Sequence, residues 1–245
     1  MIISKSYFAL IPKYKVAYLE PDSEHYRFDS QIRDLSINDM DSDGDLDIAT
    51  VSKFSDDYSY VVTIWENDDS PLDGDIWTGH TLQTVDSREL DFGHITTRVV
   101  INDVETFDMD GNGYPDIISG DIYGNMLIWF NNGNLKTAIS GTYICLMKRD
   151  CWGFACADLD HDNDVDIVCL NDGGTLTGIE NPGKNYKSTK WQQMDIGDAG
   201  GSHNRDIHLV DLDQDDHIDI LGGYGIIIWE NLFGITGVYK IALSL

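Results

Sequence analysis

The stretch DMDSDGDLDIATVS, Asp39 to Ser52, decides the fold. Its first nine residues place Asp at positions 1, 3, 5 and 9, and from Asp47 onward the chain turns to the Ile, Val and Thr that strands favour. The same spacing returns as DMDGNGYPD from Asp108, DLDHDNDVD from Asp158 and DLDQDDHID from Asp211. Asn112 is the one departure from Asp at those four positions. Each copy runs on into a strand-like segment: DIISG, DIVCL or DILGG.

Crowded carboxylates repel one another unless a cation neutralises them, and a hard cation takes several oxygens at about 2.3–2.6 Å. Alternate residues of a curled loop point inward together. Positions 1, 3, 5 and 9 thus supply Asp39, Asp41, Asp43 and Asp47, then Asp108, Asp110, Asn112 and Asp116, then Asp158, Asp160, Asp162 and Asp166, then Asp211, Asp213, Asp215 and Asp219. Position 7 offers a backbone carbonyl, which leaves its residue type free: Asp45, Tyr114, Asp164 and His217. No Cys or imidazole nitrogen is asked to ligate, so the expected ion is Ca²⁺, one per loop and about four in all, rather than zinc or copper. An EF-hand needs Glu at position 12 and flanking helices. Position 12 here is Thr50, Ser119, Cys169 or Gly222. The Gly at position 6 of the first two loops, Gly44 and Gly113, becomes Asn163 and Asp216, the residues that best tolerate a left-handed backbone.

The first aspartates are 69, 50 and 53 residues apart, which signals a repeat architecture. A second signature follows each loop: Ile64-Trp65-Glu66-Asn67, Ile128-Trp129-Phe130-Asn131, Gly178-Ile179-Glu180-Asn181 and Ile228-Trp229-Glu230-Asn231. It reads as a third strand ending at an Asn turn, its Trp and Ile packed between repeats. RDLSIND from Arg33 and RDIHLVD from Arg205 alternate as strands entering the loop, and WTGHTLQ from Trp77 and KWQQMDI from Lys190 suggest an outer strand. The unit is four strands with the metal loop between the first two. Such units read as blades of an all-β propeller of four or five blades. The blades fall at about 32–97, 98–150, 151–203 and 204–245 of a single domain, 1–245, with residues 1–31 as closing strands or a partial blade.

With these loops and strand flanks, the chain from about residue 32 to 245 resembles FG-GAP or VCBS-type repeats. Such repeats build the propellers of integrin alpha chains and of many bacterial and archaeal surface and polysaccharide-active proteins. The resemblance implies a calcium-stabilised propeller and, through its carbohydrate-active members, admits a polysaccharide lyase or the propeller domain of one.

The chain carries a formal charge of −27, built from 36 Asp and only 7 Glu. A solubilising surface would use both, whereas short-armed Asp suits tight loops and metal shells. Four divalent ions would bring −27 to −19, which still repels nucleic acid and anionic membranes. No segment approaches the ~18 apolar residues of a membrane span, so no membrane insertion is expected. The opening MIISKSYFALIPKYK has too short an apolar run for a signal peptide. Cys145, Cys151, Cys156 and Cys169 cluster around the third repeat; Cys156 and Cys169 fall on strands flanking one loop, near enough to pair or simply pack, and 4 Cys allow three connectivities.

No phosphate loop, G-x-S-x-G elbow or H-E-x-x-H occurs, so no catalytic residue is assigned. Six residues before each loop stand Arg33, Asn102, Trp152 and Arg205, followed by Asp34, Asp103, Gly153 and Asp206. At one mouth of a propeller channel they would converge on a polar ligand; the plainer alternative is an Arg-Asp structural pair. The leading expectation is a non-catalytic, calcium-stabilised module for recognition or adhesion on a cell or virion surface. Its partner would be a glycan or protein. The alternatives are a carbohydrate-active enzyme and a structural module of an oligomer or larger assembly.

Overall fold

The structure, a computed structural model, describes residues 31–53, 59–67, 77–86, 101–121, 126–135, 141–144, 151–171, 173–185, 191–198, 200, 206–222, 227–231 and 238–242. Arg205, Cys145 and the strand-like Tyr7–Glu20 lie outside them.

The described residues form four antiparallel sheets, each a meander of four consecutive strands. Sheet 1 holds β1 (Gln31–Asn38), β2 (Asp47–Lys53), β3 (Ser59–Glu66) and β4 (Thr78–Asp86). Sheet 2 holds β5 (Ile101–Phe107), β6 (Asp116–Asp121), β7 (Met126–Trp129) and β8 (Gly141–Ile144). Sheet 3 holds β9 (Gly153–Ala157), β10 (Asp166–Leu170), β11 (Thr175–Glu180) and β12 (Gln192–Asp198). Sheet 4 holds β13 (Ile207–Val210), β14 (Asp219–Gly222), β15 (Ile227–Asn231) and β16 (Val238–Ala242). Every aspartate loop joins the first two strands of its sheet. The outer strands β4 and β12 cover the two segments with a sequence signal; β8 and β16 have no counterpart to that pattern.

Each sheet packs on the next in chain order. Ala49, Val51, Val62 and Ile64 of sheet 1 share one apolar cluster with Ile101, Val104, Ile117, Leu127 and Trp129 of sheet 2. A second cluster joins Met126 and Ile128 to Phe154, Ile167 and Ile179 of sheet 3, and a third joins Val168 and Leu176 to Ile207, Ile220 and Trp229 of sheet 4. Sheets 2 and 3 are therefore apolar on both faces, which explains why DIISG and DIVCL are continuous apolar runs rather than alternating ones. Trp129 and Trp229 are buried between sheets, as the IWEN signature predicts. In sheet 3 Ile179 takes the Trp position, and Trp191 is buried in the same cluster. The second and third sheets approach so closely at Gly120 that a Cβ there would lie 2.9 Å from Phe154 Cδ1.

Polar bonds fix the stacking angle where apolar contact alone would slide. Asp34 Oδ2 accepts the Val104 N–H at 2.9 Å, and Asp103 Oδ2 accepts the Phe154 N–H at 3.3 Å. Thus a carboxylate on one inner strand receives a backbone donor from the inner strand of the next sheet. Further out, Asn131 Nδ2 donates to Met40 O, Asn181 Nδ2 to Met109 O at 3.2 Å and Asn231 Nδ2 to Leu159 O at 3.0 Å. Each asparagine reaches back into the loop of the preceding sheet.

Cys151 and Cys169 form a disulfide. The register sets Cys169 opposite Phe154 and Cys156 opposite Ile167; the two cysteines flanking the loop share the second apolar cluster without bonding, and Cys156 is a buried free thiol.

Replacing Asn181 by Ala removes its donors to Met109 O and Val165 O. Urea unfolding is expected to show a loss of about 1–3 kcal/mol, the cost of leaving buried backbone acceptors unmatched. A loss no larger than that of an exposed-loop substitution such as Asn132→Ala would contradict the clamp.

Candidate metal centres

Each loop is wound by its own carboxylates before any ion is considered. The position 1 carboxylate accepts the amides of the residues four and five on: Asp39 from Asp43 and Gly44, Asp108 from Asn112 and Gly113, Asp211 from Asp215 and Asp216. In the third loop Asp158 accepts from Asn163. Position 5 accepts the amide of position 7 at 2.8–2.9 Å in all four loops: Asp43 from Asp45, Asn112 from Tyr114, Asp162 from Asp164, Asp215 from His217. These are Asx turns, the local bond for which Asp and Asn are chosen in tight loops.

The winding needs two left-handed residues per loop. Position 6 has φ of 104° and 92° at Gly44 and Gly113, and 71° at both Asn163 and Asp216. The non-glycine residues thus sit nearer the left-handed minimum, where Asn and Asp are tolerated. Position 4 is left-handed as well, at Ser42, Gly111, His161 and Gln214, with φ between 62° and 70°. That second requirement was hidden in the sequence because only Gly111 advertises it.

This geometry gathers oxygens. Asp39, Asp41 and Asp43 each offer one within 4.8 Å of the others, as do Asp108, Asp110 and Asp116, Asp158, Asp160 and Asp166, and Asp211, Asp213 and Asp215. Asp47, Asp162 and Asp219 are not members of these triads. The donor set is wholly oxygen, which suits a hard cation. Asp41 Oδ1 and Asp158 Oδ1 are buried with no hydrogen-bond partner, so two triads hold an oxygen whose satisfaction must come from something other than the described protein groups. The residues present therefore fit a metal ion.

Position 9 does more than face that centre. Asp47, Asp116, Asp166 and Asp219 are buried. One oxygen of each accepts the amide of position 2 (Met40, Met109, Leu159 or Leu212), and the other accepts the amide of the third-strand asparagine (Asn67, Asn131, Asn181 or Asn231). The asparagine's side chain binds the loop too, donating to the position 8 carbonyls of Leu46, Pro115 and Val165. The sequence showed this Asn as a turn residue, and its recurrence 15 to 20 residues after position 9 in the first three repeats was the available signal.

Burial pushes the carboxyls of Asp116 and Asp166 up to about 7, only partly offset by their amide bonds and reinforced by neighbouring aspartates. Asp41 and Asp160 are likewise raised, by burial first and then by Asp43 and Asp162 respectively. Away from the loops, burial raises Asp103 well above its ordinary value, with a bond to Asp34 adding to the effect, and burial with Asp34 beside it raises Glu105 to about 7.

Of the four residues six positions before the loops, Arg33 is exposed at an irregularity between Ile32 and Asp34, and Trp152 is half-buried before β9. Asn102 lies within β5. Asp34 and Asp103 bind backbone across the sheet boundary, which gives these acidic positions a structural role. His161 and His217, from the third and fourth loops, meet edge to face with ring centroids 5.1 Å apart.

Residues 108–169, from the second loop to the strand after the third, match the family described as FG-GAP-like repeat. Among curated proteins there is no match. Solved structures with a similar fold include a humanized mutant of the Chaetomium thermophilum Polycomb Repressive Complex 2 bound to the inhibitor GSK126. Its chain is 13% identical, with a TM-score of 0.54 over 91% of the present chain. The Chaetomium thermophilum complex bound to GSK126 is 11% identical, with a TM-score of 0.53 over 89%. The present chain spans 43% and 42% of those two chains, less than half their length. At such identity the likeness concerns the fold alone.

The raised carboxyls of Asp116 and Asp166 make stability depend on pH when no metal is bound. Their folded values lie above the unfolded ones, so in chelator the stability they lend is complete below about pH 4 and is lost as pH rises through about 7. The melting temperature without metal should thus fall between pH 5.5 and pH 8, and a flat or rising profile would contradict this. Asp166→Ala is expected to lower stability even in chelator, because two backbone amides lose their acceptor, whereas Asp160→Ala should matter chiefly when metal is supplied. Equal losses for the two variants in chelator would overturn the division of roles.

Proposed function

We propose that each of the four loops binds one Ca²⁺ and that the chain is a set of propeller blades serving as a non-catalytic recognition or adhesion module outside the cell or on a virion surface. One observation carries the reading: four loops, each between the first two strands of its sheet, gather three aspartate oxygens, and two of those sites keep a buried oxygen without a partner. The FG-GAP-like match over 108–169 supports it from the sequence side.

In this reading positions 1, 3, 5 and 9 with the position 7 carbonyl surround the ion. Bound calcium supplies the positive charge that lets the raised carboxylates ionise together and fixes the strand-to-strand turn. The chain's own residues do the rest: the side-chain oxygens of positions 1 and 5 hold the loop wound, and position 9 ties it to the third strand. Arg33 and Trp152, near the starts of β1 and β9, offer guanidinium and indole groups suited to a sugar or an acidic ligand; the sequence adds Asn102 and Arg205 at the same place in their repeats.

Isothermal titration of the metal-free chain with calcium is expected to give about four sites, and saturation to raise the melting temperature as binding to the folded state alone requires. No heat and no shift would sink the calcium assignment. A glycan panel probed in millimolar calcium and again in chelator tests recognition. Calcium-dependent binding lost in Arg33→Ala and Trp152→Ala would support it, and absence of binding in both conditions would remove the glycan reading.

A further inference from the structure

The three boundaries between successive sheets reuse the same positions. Four and two residues before each loop, the inner strand turns its back to the preceding sheet: Val104 and Thr106 in sheet 2, Phe154 and Cys156 in sheet 3, Ile207 and Leu209 in sheet 4. Apart from half-buried Leu209, none of these is more than 8% exposed. Sheet 1 carries Leu35 and Ile37 at those places, 49% and 56% exposed. At loop position 8, Val165 and Ile218 pack against the preceding cluster, whereas Leu46 is exposed.

The front of each sheet shows the converse. Loop position 2 is at most 2% exposed in Met40, Met109 and Leu159, each followed by another sheet, but Leu212 on sheet 4 is 48% exposed. Val210 and His208 beside it are exposed as well. Polar groups repeat the pattern. The carbonyls of Met40, Met109 and Leu159 each accept from the asparagine of the next sheet. Asn67 of sheet 1 donates, among the described residues, from its side chain to Leu46 O alone. One end of the stack thus presents the back half of a boundary and the other end the front half.

We propose that sheet 4 of one copy stacks on sheet 1 of a second copy, through the same positions that join successive sheets within the chain. The occupant is a second copy because the two uncovered halves match each other: Ile37 and Val210 are the counterparts of Thr106 and Asn38, which bond across the first boundary. The contact is head-to-tail, so each copy uses two different surfaces. The acidic charge does not forbid it. Repulsion is screened beyond about 8 Å at physiological ionic strength, and three such boundaries already bring acidic loops side by side within one chain. The contact needs no metal ligand, so association and calcium binding succeed or fail separately.

Sedimentation of the full chain across micromolar to submillimolar concentrations, in calcium and in chelator, should show species of at least twice the single-chain mass. Ile37→Lys and Val210→Glu alter exposed residues on opposite ends, and unchanged melting temperatures would confirm intact folds. Each variant alone is expected to stay monomeric, while their equimolar mixture re-associates because the unaltered Val210 end of one variant meets the unaltered Ile37 end of the other. A wild-type chain that remains monomeric throughout, association that survives in both single variants, or a mixture that stays monomeric while wild type associates would each overturn the proposal.

Discussion

Everything in each repeat hangs on one buried carboxylate and its two backbone donors. The position 9 aspartate takes one amide from the entrance of its loop and one from the end of the third strand, so three chain segments distant in sequence share a single side chain. Asparagine completes the arrangement by giving its side-chain hydrogens to the loop carbonyls. Neither residue is exchangeable on size alone: Glu would push the amides apart, and Asn at position 9 would present a donor to one of two donors. The apolar clusters supply most of the burial, but sheets can slide on apolar contact, and this bond set specifies the register in which they meet.

The same constraint creates the electrostatic problem that the loops must solve. A carboxylate buried for its hydrogen bonds sits beside other carboxylates that wind the loop, and each raises the others. Protonation relieves that crowding at acidic pH, and a hard cation held by the clustered oxygens would relieve it at neutral pH. A fold built this way would couple its stability to whichever of the two is present. The acidity of the chain is in this sense local, since Asp outnumbers Glu where tight loop geometry asks for short arms.

What the sequence disclosed divides along the same line. Recurrence at fixed spacing exposed the loops, the strands beside them and the inward Trp of the third strand, because local bonding imposes a residue type at each of those positions. The left-handed backbone at position 4 was hidden, since Ser42, His161 and Gln214 are not residues that announce it. The Cys151–Cys169 pair was not legible either: strand register decides it, by setting Phe154 rather than Cys156 opposite Cys169. Strands β8 and β16 have no repeated pattern. The cross-boundary roles of Asp34 and Asp103 needed neighbouring sheets in place, which no single repeat encodes.

The asparagine clamp has a direction. Asn131 reaches back 91 residues to Met40, and Asn181 and Asn231 each reach back 72, always to the sheet made earlier. During synthesis each meander can pair locally as it emerges, since its strands are neighbours in the chain, but its loop remains incomplete until the following sheet arrives. Growth from the N-terminal side thus leaves a single unfinished loop at the advancing end, and every newly made sheet locks the one before it. Assembly in that order resembles a ratchet, in which the older part of the molecule becomes harder to reopen with each addition.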